Sequence, residues 1–143
     1  MRYRFNGGAE NFKTTTAMGR FTDIQDDVIR KYRITIDEHS ACWGRTHAHV
    51  RERRVCKWKQ KNSVQSTFEL LHEVGHIVSN KSGMRRCEQE YHATVWAIER
   101  AKEYGLTIPK ETISDYQDYI NRELDRGVRR HGQNYNKEYV LTV

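Results

Sequence analysis

Two histidines and a glutamate in the run Leu70-Leu71-His72-Glu73-Val74-Gly75-His76-Ile77-Val78 have the types and spacing for metal chemistry. The pattern is H-E-x-x-H. Residues four apart in a helix stand one above the other on the same face, so His72 and His76 can share one cation. Neutral imidazoles bind Zn²⁺ at ~2.0–2.1 Å. Glu73 directly follows the first histidine, which sets its carboxylate beside the metal rather than among its ligands. From there it can take a proton from a metal-activated water and hand it to a leaving amine.

A catalytic zinc site of this kind needs a third protein ligand. The helix that follows opens Cys87-Glu88-Gln89-Glu90-Tyr91-His92. Helical phase separates its candidates. Glu90 lies three, seven and eleven residues before Ala93, Ala97 and Ala101, so it shares their inward face. A carboxylate on an apolar face is costly unless something pairs with it, and a metal would. Glu88 falls on the line of His92, Val95 and Glu99. Glu90 is therefore the expected third ligand and Glu88 the reserve, with a possible role in orienting a histidine. Tyr91 and His92 are candidates for stabilising an oxyanion. His47 and His49, two apart, could form a separate metal pair on one strand face.

The elements that must position these groups follow from periodicity. Leu70, Leu71, Val74, Ile77 and Val78 give the motif helix a buried face, opened by Asn62 or Ser63 and ending near Asn80. Gly75 costs a helix interior about 1 kcal/mol relative to alanine, which implies close packing at that turn. A second helix runs from about Arg86 to Tyr104 with Gly105 after its end. A third, entered through Pro109 or capped by Thr107, carries Ile113, Tyr116, Tyr119, Ile120 and Leu124 and stops at Gly127. Upstream, Thr22 or Asp23 caps a short helix over 23–32 with Ile24, Val28, Ile29 and Tyr32 on one side. Strands are expected over 33–38, 46–51 and 54–59, with a turn at Gly44, as a small antiparallel sheet. In the third strand Val55 and Lys57 face opposite to Cys56 and Trp58. Residues 1–20 read as a loose N-terminal segment and 128–143 as a C-terminal tail, giving one α+β domain over 1–143.

Composition narrows the function classes. A hydrophobic share of 36% against 31% charged residues points to a soluble protein with much exposed helix. No apolar run is long enough to span a membrane, and the N-terminus lacks the apolar core of a signal peptide. Three cysteines, Cys42, Cys56 and Cys87, make no disulfide framework and suit a reducing, cytoplasmic setting. The net charge of +6 is concentrated in residues 45–61, where seven Lys or Arg meet one acid, Glu52. This stretch could attract nucleic acid, with Trp43 and Trp58 stacking on bases, but no DNA-binding motif accompanies it, and a solvated basic face is favoured.

The H-E-x-x-H helix after a small basic sheet, followed by an E-x-E and an alanine-rich face containing Trp96, resembles the ImmA/IrrE group of zinc metallopeptidases. These are gluzincin-type proteins, many carried by phages and mobile elements. The likeness covers roughly 30–125 and rests on 68–78 and 88–97. It implies a minimal zincin-like fold with a small antiparallel sheet on the motif helix and two following helices. It also implies an intracellular Zn²⁺-dependent endopeptidase with a protein or peptide substrate, such as a transcriptional regulator. Carried over, His72, His76 and Glu90 are ligands and Glu73 the general base. The family commonly shows E-A-N-x-F-A where this chain has Glu90-Tyr91-His92-Ala93-Thr94-Val95-Trp96-Ala97, so the choice between Glu88 and Glu90 stays open. The alternatives are a catalytically silent binding module on the same scaffold and a basic nucleic-acid-binding protein.

Overall fold

Apolar residues at helical spacing decide where the core sits. In a computed structural model describing residues 20–38, 46–131 and 139–142, they assemble four helices and a three-stranded sheet. The order is α1 (Phe21–Lys31), β1 (Thr35–Asp37), β2 (His47–His49), β3 (Arg54–Cys56), α2 (Val64–Ser79), α3 (Arg86–Glu103) and α4 (Lys110–His131). The architecture is α+β. The Gly44 turn, Cys42, Trp43 and the N-terminal segment before Arg20 lie outside the described residues, as do 132–138 of the expected tail.

The sheet corrects the antiparallel expectation. Strand order is β1-β3-β2, with β3 antiparallel to β2 but parallel to β1. The central place goes to the strand with the most apolar surface to hide: Val55 and Cys56 are both buried, one on each face. All three strands are also shorter than expected. Lys57 adopts a φ of 61°, in the left-handed region, and ends β3 at Cys56. That turn brings Trp58 inward, so the expected alternation fails there. Trp58 is buried and its indole donates to the Ser66 carbonyl oxygen at 2.9 Å, anchoring the sheet to the first turn of α2.

Neither Thr22 nor Asp23 caps α1. The helix begins at Phe21, whose backbone N–H donates to Asn62 Oδ1 at 2.8 Å from across the fold. Ile24 and Val28 enter the core, and Tyr32 packs edge-on against Trp96 with ring centroids 5.1 Å apart. Buried Gln25 donates to the Lys61 carbonyl and to Thr67 Oγ1, both at 2.8 Å, tying α1 to the start of α2. Ser63 caps α2 by accepting from the Ser66 N–H at 3.1 Å.

α2 packs most extensively on α3. Phe68, Leu70, Leu71, Val74 and Ile77 on one side meet Ala97, Ile98 and Ala101 on the other in a common core. Each large side chain so buried contributes about 1.5–3 kcal/mol. α4 covers this pair through Ile120, and Tyr116 meets Phe68 edge-on at 5.2 Å. α4 does not stop at Gly127. With no proline following, it continues to His131. Part of the expected tail is packed: Leu141 joins the core, its N–H donates to Gln117 Oε1, and Gln117 Nε2 donates to the Tyr139 carbonyl, both at 2.7 Å.

The tightest approach of α2 and α3 is at Gly75. A Cβ there would lie 2.5 Å from the Ala93 carbonyl oxygen and 3.0 Å from its Cα. Both are backbone atoms and cannot rotate away. Gly75→Ala should therefore destabilise the fold by about 1–3 kcal/mol through overpacking, despite the gain in helix propensity. Thermal unfolding of the variant checks this, with a lowered Tm expected and an unchanged or raised Tm against it.

Candidate metal centre

The contacts between α2 and α3 run in opposite directions along the two helices: His72 meets Thr94, Gly75 meets Ala93, and His76 meets Glu90. This antiparallel seam brings one donor atom each from His72, His76 and Glu90 within 4.8 Å of one another. His72 Nε2 is 3.0 Å from Glu90 Oε1 and 3.2 Å from His76 Nε2, while His76 Nε2 is 3.2 Å from Glu90 Oε2. His72 is 4% exposed and Glu90 3%.

Thr94 decides how the His72 ring is used. Its hydroxyl donates to the Glu90 carbonyl oxygen one turn back at 2.7 Å. Thr94 Oγ1 itself lies 3.1 Å from His72 Nδ1 and is left to accept a hydrogen bond from that N–H. A neutral His72 protonated on Nδ1 turns a bare Nε2 lone pair toward Glu90 and His76. Three lone-pair-bearing atoms within about 3 Å, mostly buried, repel unless a proton or a cation stands between them. The donor set, two imidazoles and a carboxylate, suits a first-row divalent ion.

The charge state agrees with that use. Burial lowers the basicity of His72, and this outweighs the Glu90 hydrogen bond that would raise it. Burial alone would push the Glu90 carboxyl up, but an imidazole that carries a proton toward it holds it well below the usual carboxylate range, a part that a bound cation would take over from that proton. Both shifts favour the deprotonated forms that bind a cation. Arg86, one turn before Glu90, approaches Glu90 Oε2 at 3.4 Å and donates to the Tyr119 hydroxyl at 3.1 Å.

These residues line a cleft of about 600 Å³. Glu73 is half-buried on its wall beside the donors. Thr46, His47, Ala48 and Val50 of the β2 segment form one rim; Asp115, Tyr116, Tyr119 and Arg122 of α4 line another part. The Tyr116 ring lies 4.7 Å from that of His72. Comparison of the chain with protein-family models, curated proteins and solved structures finds no match.

Several candidates fall elsewhere. Glu88 is not among the converging donors: its carboxylate accepts from the Arg85 N–H at 3.0 Å and so caps α3. Tyr91 packs against Tyr139 at 5.1 Å and His92 is exposed; neither lines the cleft. Helix phase explains this, since both follow Glu90 by less than one turn and point off its face. Cys87 is buried outside the donor group, and burial, then the Glu88 charge, pushes its thiol up. Thr94 and the α4 residues are the groups that sequence reasoning missed. Thr94 carried a signal, a hydroxyl on the alanine face one turn after Glu90. Tyr116 and Tyr119 read as core because their spacing matched a core stripe.

Thr94→Val removes the acceptor for His72 Nδ1 at nearly constant volume. Zinc affinity, measured by competition with a chromophoric chelator, should fall about 10–100-fold, the usual cost of losing such an orienting contact. Unchanged affinity would mean that Thr94 does not set the ring.

Proposed function

We propose that this chain is a zinc-dependent endopeptidase of the minimal zincin-like kind resembled by its motifs, acting on an intracellular protein. The observation that carries the reading is the convergence of His72, His76 and Glu90 on one wall of an open cleft, with Glu73 beside them. A cation held there would polarise the scissile carbonyl and acidify the attacking water. A structural metal would have no need of a cleft this large.

The chain's own groups have distinct parts in this reading. His72, His76 and Glu90 hold the ion, Thr94 orients His72, and Arg86 pairs with Glu90 Oε2. Glu73, on the same wall but outside the donor triad, is the proton carrier between water and the leaving amine. Among the described residues β2 is an edge of the sheet, and its segment forms a rim of the cleft. An extended peptide could add to that edge through main-chain hydrogen bonds, which places a backbone amide next to the donors without demanding a particular side chain. Tyr116 and Tyr119 line the cleft, as Tyr91 and His92 do not, and are the side chains suited to stabilise a developing oxyanion. No helix among the described residues is long and apolar enough to cross a membrane.

The nucleic-acid alternative loses one of its parts. Trp58 is 2% exposed and committed to the core, so it is not available to stack on bases. Arg54 is engaged with Glu52 and Asp37, and Arg53 with the Tyr32 carbonyl oxygen.

Glu73→Gln removes the proton carrier and leaves the three proposed ligands in place. Incubated with a proteome-derived peptide library, the zinc-loaded wild type should generate new termini, and the variant should do so at least about 100-fold more slowly with its zinc content intact. Equal cleavage by the variant would remove Glu73 from the reaction; no cleavage by the wild type would favour a silent binding module.

A further inference from the structure

The outward face of the sheet carries a second group of metal-binding side chains. β2 and β3 pair antiparallel with His47 opposite Cys56 and His49 opposite Arg54. Side chains alternate along a strand, so Ala48 and Val55 turn to the core while His47, His49 and Cys56 share the other face. One donor atom from each of these three lies within 4.8 Å of the others. The two imidazoles stand edge-on with centroids 5.2 Å apart.

Two further observations separate this group from a surface pair of histidines. Cys56 is fully buried although it sits on the face turned from the core. His49 Nε2 is also buried, and it has no hydrogen-bond partner among the described residues. Leaving a buried polar nitrogen unsatisfied is costly, and a cation would satisfy it. The backbone does the positioning, because directly opposed and diagonal residues on neighbouring strands are held together by the ladder itself.

We propose that His47, His49 and Cys56 form a second metal site, distinct from His72, His76 and Glu90, for a thiophilic divalent cation of the zinc class. Two imidazole nitrogens and a thiolate match the tetrahedral preference of such ions, with bonds of ~2.0–2.1 Å to nitrogen and ~2.3 Å to sulfur. The thiolate favours this class over magnesium or calcium. Binding releases the Cys56 proton to solvent and breaks no other bond. The ion would clamp β2 to β3. His47 also lines the cleft, so the clamp would fix the rim to which β2 belongs.

Cobalt(II) serves as the spectroscopic probe, added to the full-length, metal-stripped, reduced chain. A thiolate ligand gives a near-ultraviolet charge-transfer band that a histidine and carboxylate site cannot produce. The band should appear in the wild type, persist in Glu90→Ala and persist in Cys42→Ser/Cys87→Ser, where Cys56 is the remaining thiol. It should vanish in Cys56→Ser. His49→Ala, at a half-buried position where folding is easier to retain, should weaken cobalt binding at least tenfold, with circular dichroism verifying the fold. Absence of the band in the wild type, its survival in Cys56→Ser, its loss in the double cysteine variant, or unchanged affinity in His49→Ala would overturn the proposal. Loss of the band in Glu90→Ala would overturn the independence of the two sites.

Discussion

The rest of the structure depends on how closely α2 can lie against α3. With a hydrogen in place of a side chain at Gly75, the backbone of Ala93 sits directly against the helix that carries the motif. Close contact at that point puts Glu90, one turn from Ala93, next to both histidines rather than a side chain's width away. Alanines 93, 97 and 101 continue the same face and let the two helices stay close along their length. A carboxylate, two imidazoles and a threonine hydroxyl then share one small, largely buried space.

Around this seam the other elements act as supports and walls. The sheet is fixed to the start of α2 by the Trp58 indole, and α1 is fixed to the same end by Gln25 and Asn62. Tyr104 at the end of α3 donates to Asp27 Oδ2 at 2.6 Å, closing the far side of α1 onto the pair. α4 lines part of the cleft with aromatic and charged side chains, and β2, an edge of the sheet among the described residues, lines another part. The result is a largely buried polar centre on the wall of a cleft whose other linings are groups suited to peptide contacts. That combination is what the proposed peptidase reading asks of so small a chain.

Much of this was legible in the sequence where a single helix decides the outcome. The Ser63 cap, the end of α2 at Ser79, the span of α3 and the left-handed Gly105 all follow from local rules. Helix phase likewise places Glu90, and not Glu88, on the inward face of α3. The failures lie where distant parts of the chain set the answer. Asn62 caps α1 from across the fold, so no local residue announces it. Strand order is decided by which strand has two faces to bury, and the left-handed turn at Lys57 cannot be anticipated from a lysine. The Tyr116 and Tyr119 stripe obeys the same period whether it faces core or cleft, and only the tertiary arrangement of α4 distinguishes these.

Metal content of the purified chain, by mass spectrometry after zinc loading and removal of excess, tests the central claim most directly. The account predicts that Glu90→Ala holds one zinc fewer per chain than the wild type, while Glu88→Ala, which loses only a helix cap, holds the same number. Equal zinc in the wild type and Glu90→Ala, or a loss confined to Glu88→Ala, would contradict the site built by His72, His76 and Glu90.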